Sequence, residues 1–272
     1  MKKNKFLFCI GLLLTVATIV NAQSVTWISS TEGNVWQKSK VKLQSKSEQN
    51  PVLQVDGTEN GVAFKNWGTT FNELCWDALG LLTRTEQDEI LYNIFSPQGD
   101  LRITRGRISM GANDYARSWY SCDEVEGDFE LRYFNINRDK QTIIPFIRAA
   151  QKYNPNLTFW ISPWCPPSWM KINGDYPVLS SPFNSLSEKQ NYLLYGATGG
   201  QVDENEMKLT GARDGVFPRQ LATTDFMIQD PRYLQTYADY FCRFIDAYKE
   251  QGIPIDMVMY QNEAYSYTPY PG

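Results

Sequence analysis

Between residues 62 and 260 the chain alternates short β-rich runs with longer stretches of helical spacing, and that order leaves few folds open. Strand-like runs fall at 62–64, 101–108, 157–161 and 255–260, with helical patterns at 85–95, 140–153 and 231–251. A β-α-β-α-β-α-β order calls for an α/β fold with a parallel sheet and crossover helices. Over 231–251, Leu234, Tyr237, Ala238, Phe241, Phe244, Ile245 and Tyr248 recur at three and four, predicting a stripe laid on apolar neighbours. Thr85 and Asp88, with Glu86, read as the amino-terminal cap of the 85–95 helix, and Pro145 is at odds with an unbroken helix over 140–153. Upstream, 25–29, 41–44 and 52–55 read as strands of an antiparallel element. With 42% apolar residues, core material is ample.

Two connections, 110–138 and 163–230, follow the carboxyl ends of strands and are rich in Trp, Tyr, Asn and Asp. Connections longer than about 15 residues in a compact domain tend to be functional or disordered. Strand carboxyl ends are also where parallel α/β folds bind ligands.

Residues 1–22 have the layout of a cleavable export signal. Lys2, Lys3 and Lys5 precede an apolar run over 6–20, and Val20-Asn21-Ala22 ends on a small residue. The run falls short of the roughly 20 residues that a bilayer span takes, so the expectation is a secreted, periplasmic or surface protein without a stable membrane span. Its removal leaves 23 basic against 30 acidic residues, a net charge of −7. That balance disfavours nucleic-acid and anionic-membrane partners and leaves neutral substrates open.

The chain has no histidine, which excludes imidazole-activated nucleophiles, histidine general bases and histidine-ligated zinc. Cys75, Cys122, Cys165 and Cys242 form no C-x-x-C pair, so neither a metal nor a cofactor is expected. Cys242 reads as a small buried hydrophobe. Carboxylates are left as the acid and base of any enzyme built here.

Three runs carry that chemistry. The 255–260 strand delivers Asn262 and Glu263 at its carboxyl end, an amide and a carboxylate suited to a sugar 2-hydroxyl and a glycosidic oxygen. After the 157–161 strand comes Ser162-Pro-Trp-Cys-Pro-Pro-Ser-Trp-Met-Lys171, whose prolines stiffen a loop bearing Trp164 and Trp169, either of which could be a sugar-stacking wall or a core residue. In Arg105-Gly-Arg107 the arginines share a face and need partners there, and Asp114 lies just past the strand, able to accept from hydroxyls.

Arg107 with Asp114, the Ser162-to-Lys171 run and Asn262-Glu263, in this order, resemble glycoside hydrolase family 30, the family of glucosylceramidases and bacterial β-glycanases. The resemblance covers roughly residues 60–263. It implies a (β/α)8 TIM barrel with a β-sandwich side domain, and retaining hydrolysis of a β-linked glucoside or related glycan. Glu263 would be the acid/base, Asn262 the contact to the 2-hydroxyl, Asp114 and Trp164 contacts to the non-reducing-side sugar, and Arg107 a support for the carboxylates. Residues 23–60 would belong to the side domain and 61–272 to about the first four β/α units of the barrel. The sequence departs from the family at Asn66-Trp-Gly-Thr-Thr-Phe71, where a Phe-Gly-Gly motif is usual, and at Ala264, where a proline is frequent. The family's nucleophile lies on the seventh strand, and no residue here matches it. The expectation is therefore an inactive fragment of an enzyme. The alternatives are a non-catalytic carbohydrate-binding protein on the same scaffold, or a structural domain whose aromatic loops meet another protein.

Overall fold

The strand and helix alternation is realised as one parallel sheet with helices against it. The computed structural model describes residues 24–42, 61, 63–171, 173–177, 181–182, 227–228, 230–263 and 270–272. The export-signal stretch, the expected strand over 52–55 and most of the 163–230 connection lie outside them. The chain divides into two compact units, Met1–Ala63 and Phe64–Gly272.

In the first unit β1 (Ser24–Thr31) and β2 (Asn34–Lys42) form an antiparallel hairpin with Val25 opposite Val41. The turn between them uses Gly33 at φ 77°, a left-handed conformation that glycine adopts freely. The second strand begins earlier than the 41–44 run suggests. Lys38 and Lys40 break the apolar alternation while leaving the backbone pairing intact.

In the second unit β3 (Gly68–Phe71), β4 (Arg105–Ser109), β5 (Thr158–Ser162) and β6 (Ile255–Val258) run parallel in the order β3-β4-β5-β6. The first strand is Gly68–Phe71 and not the 62–64 run, whose described residues are exposed. Between the strands lie α1 (Glu73–Gly80), α2 (Arg84–Phe95), α3 (Ile143–Gln151) and α4 (Pro231–Glu250). Helix α1 went unread in the sequence; Asn72 caps it by accepting from the Cys75 amide at 2.9 Å. The cap of α2 is Thr83, not Thr85: its hydroxyl accepts from the Glu86 amide at 3.4 Å while Glu86 accepts from the Thr83 amide at 2.8 Å. Pro145 falls in the first turn of α3, where its missing N–H leaves no intrahelical bond unmade.

The core sits between sheet and helices. The Phe71 ring meets Phe95, Phe146 and Phe159 at centroid distances of 5.6, 4.7 and 5.9 Å. Gly106 permits this, since a Cβ there would lie 2.5 Å from Phe71 and 2.9 Å from Phe159. Helix α4 buries Tyr233, Thr236, Tyr240, Phe244 and Tyr248; of the predicted stripe, Phe244 and Tyr248 are buried and Tyr237, Phe241 and Ile245 pack partly buried against the core, while Leu234 and Ala238 are exposed. Cys242 is likewise exposed and Cys122 and Cys165 are buried, so the hydrophobe reading fits the latter two. Among the described residues no helix is long and apolar enough to cross a membrane.

Candidate active site

Period-two alternation on β4 sends Gly106 and Ile108 to the helix-packed face and Arg105 and Arg107 to the other. Parallel pairing places Arg107 opposite Trp160 and Ser109 opposite Ser162. Arg105 then pairs with Asp256 of β6 at 2.8 Å. Arg107 Nη2 donates to Ser162 Oγ at 2.8 Å and to Asn262 Oδ1 at 2.6 Å, and its guanidinium lies 5.1 Å from the Trp160 ring centroid and 5.6 Å from that of Trp164. One arginine thus gathers the ends of three strands.

The segment after β6 docks on the segment after β5. The Asn262 amide donates to the Pro163 carbonyl at 2.8 Å, and Gln261 Nε2 donates to the Trp164 carbonyl. Glu263 follows at φ 45°, left-handed for an L side chain at a cost of about 1 kcal/mol. With Asp114, Trp164, Asn262, Tyr270, Pro271 and Gly272 it lines a cleft of about 210 Å³.

Electrostatics tie these groups together. Partial burial raises the Asp114 pKa and the Glu263 charge raises it further. Burial draws the Arg107 pKa down, and attraction to Glu263 opposes that. Arg107 Nε and Trp164 Nε1 are buried with no acceptor among the described residues. The cleft therefore combines carboxylates, an indole face and an amide oriented by a cation. Among the described residues no group of three or more His, Cys, Asp or Glu could hold a metal ion.

Asp114, Trp164, Asn262 and Glu263 meet at the cleft, with Arg107 directly behind them. Trp169 does not join them, which corrects its reading as a sugar wall. It is 2% exposed, its Nε1 donates to the Asp123 carbonyl at 3.0 Å, and its ring packs on Phe129 and Tyr233, each at 5.6 Å. Sequence reasoning missed Trp160 and Ser162, which the alternation of β5 carried across from β4 would have placed beside Arg107. It also missed the 270–272 wall, for which no local pattern is a signal.

Residues 64–181 match the glycosyl hydrolase family 30 TIM-barrel domain. Over these residues the chain is similar to glycoside hydrolase family 30. Over 250 residues the chain is 27% identical to putative glucosylceramidase 4 of Caenorhabditis elegans, covering 91% of this chain and 40% of that one. Over 231 residues it is 26% identical to endo-1,6-beta-D-glucanase neg1 of Aspergillus fumigatus, covering 83% and 40%. The chain thus spans about two fifths of the length of these curated relatives. Among solved structures it resembles an endo-β1,6-glucanase with a TM-score of 0.60 at 20% identity, covering 91% of this chain and 45% of that one. It also resembles SrfJ of Salmonella typhimurium with a TM-score of 0.58 at 17% identity, covering 90% and 45%. These two likenesses concern the fold.

Proposed function

We propose that this protein takes part in retaining hydrolysis of a β-linked glucoside or related glycan, with Glu263 as the proton donor to the leaving oxygen. The observation that carries the reading is the Arg107 hub, which fixes Asn262 beside Glu263 and lies against Trp164, with Asp114 lining the same cleft. Glycoside hydrolysis needs a carboxylic acid at the leaving oxygen and hydrogen bonds to the 2-hydroxyl, and Glu263 and Asn262 supply those two roles. Trp164 would stack on the sugar ring and Asp114 accept from its hydroxyls. The names of the curated relatives share a glucosyl group, in one of them 1,6-beta-linked, which makes gentiobiose, a β-1,6-linked glucose disaccharide, the first probe.

The same reading takes the four-stranded sheet as the amino-terminal half of a (β/α)8 barrel, β1 and β2 as part of a β-sandwich side domain, and residues 1–22 as an export signal. The second carboxylate of a retaining pair is assigned to none of the described residues, which by themselves account for proton donation and binding and not for the nucleophilic step.

In the full-length protein Glu263→Gln is expected to cut glucose release from gentiobiose by about 10²- to 10⁴-fold, the usual contribution of a positioned general acid. An unchanged rate would discard Glu263. Binding of gentiobiose by the full-length wild type without any release would favour the non-catalytic carbohydrate-binding alternative.

A further inference from the structure

Lys171 closes the proline-stiffened run after β5 and is 0% exposed. Its backbone follows a 3₁₀ turn over Ser168–Met170 and bridges to Met227. Its ammonium donates to the carbonyl of Tyr176 at 2.6 Å and to that of Gly272 at 2.7 Å, with the Pro177 carbonyl at 3.5 Å. Around it Asn173 Nδ2 donates to the Pro177 carbonyl at 2.8 Å, the Gly272 amide donates back to the Tyr176 carbonyl at 3.1 Å, and Pro177 pairs with Pro271.

A buried ammonium is costly unless its donors are met, and three carbonyls match its three N–H groups. Those carbonyls come from two segments far apart in sequence, 173–177 and 270–272. The second of these is a wall of the cleft that holds Glu263. Nothing in the reaction itself calls for this lysine. Its geometry instead decides where that wall stands.

We propose that Lys171 is a positioning residue that clamps the 270–272 wall against the 173–177 loop and so sets the affinity of the cleft for its ligand. The affinity part rests on the β-glucoside reading above, and the clamp part does not.

The test uses the full-length protein. Lys171→Met keeps the length of the side chain and removes its donors. It is expected to weaken gentiobiose binding about tenfold and to speed hydrogen exchange of the Gly272 amide about tenfold, with exchange in α3 and β5 unchanged. Lys171→Arg restores the donors and is expected to bring affinity back to within about threefold of wild type, which a loss of packing alone would not allow. Asn173→Ala, which loosens the same loop, should act in the same direction by about threefold.

Unchanged affinity in Lys171→Met, while Trp164→Ala loses binding, would overturn the positioning role and leave the sugar site standing. If the wild type does not bind gentiobiose, the glycoside reading fails and hydrogen exchange decides the clamp. In that case faster exchange at Gly272 in Lys171→Met supports it and unchanged exchange refutes it. Should Lys171→Met not fold, unaltered affinity and exchange in Asn173→Ala would overturn the proposal, and the threefold changes would support it.

Discussion

Trp164 and Trp169 stand in one proline-stiffened loop, yet the open cleft around the first and the packed region around the second are physically opposite. Trp164 is half-buried, keeps its buried Nε1 without an acceptor among the described residues, and lies under the Arg107 guanidinium at the cleft. Trp169 has its Nε1 satisfied by the Asp123 carbonyl and its ring enclosed by Phe129 and Tyr233. An indole that lines a cleft beside carboxylates can meet a ligand, whereas one whose donor and ring are both met can only hold the fold together.

That contrast is open to a direct break. Trp169→Ala removes a fully enclosed ring and should destabilise the protein by about 3–5 kcal/mol, read as a lower urea midpoint at unchanged slope. Trp164→Ala should lower stability by less than about half of that and weaken gentiobiose binding at least about tenfold. Similar losses of stability from the two variants, or binding untouched by Trp164→Ala, would erase the distinction.

A second pair of regions sharpens it. The 110–138 connection is pinned by Glu73 at the start of α1. This carboxylate is 1% exposed on its side chain and accepts from Arg138 Nε at 2.9 Å, Arg138 Nη2 at 2.6 Å and the Arg117 amide at 2.8 Å. These bonds and the arginine charges outweigh burial and leave the Glu73 pKa lowered. Removing one partner strands the other charge, so Glu73→Gln should cost about 3 kcal/mol, seen in the urea midpoint. Gentiobiose affinity is expected to stay within about twofold, because Glu73 touches nothing in the cleft. A large loss of affinity with little loss of stability would mean that the connection is shaped for the ligand.

What the sequence disclosed follows from which signals are local. The parallel order of strands was legible because period two and period three-to-four repeat within each segment. Boundaries slid where the decisive residue was a cap, as at Thr83, or where strand length was set by pairing, as in β2. The core-facing side of α4 was legible at Tyr237, Phe241, Phe244, Ile245 and Tyr248, and only its edge was missed, because tyrosines serve either environment and only packing decides that Tyr233 and Tyr240 go inward while Leu234 stays out. At the site, Arg107, Asn262 and Glu263 were legible because polar groups at strand ends need partners. Ser162, Trp160 and Lys171 required the sheet register and a contact between distant segments, which no single run of residues encodes.

The smallest expected effect concerns pH. Asp139 is fully buried, and burial pushes its pKa up to about 6 although Tyr120 and Tyr248 each donate to it at 2.6 Å. Burial raises Asp123 to about 6 as well, with the neighbouring Asp128 adding to the shift. In the unfolded chain both would titrate near the ordinary value of about 3.9. Between pH 7 and pH 5 the folded state therefore binds more protons than the unfolded one, and stability rises as pH falls, by at most about 1.4 kcal/mol per pH unit for each group. The Glu73 contribution runs the other way but is lost only below about 4.5, outside this window. Asp139→Asn should remove the Asp139 share of the slope and leave that of Asp123, so urea midpoints measured at pH 7, 6 and 5 should rise about half as much as in wild type. Gentiobiose affinity at pH 6 should not change, because Asp139 faces Tyr120 and Tyr248 and not the cleft. A variant whose midpoints parallel those of wild type would mean that the two tyrosines hold Asp139 ionised throughout, and that the acid response is carried by other groups such as Asp123.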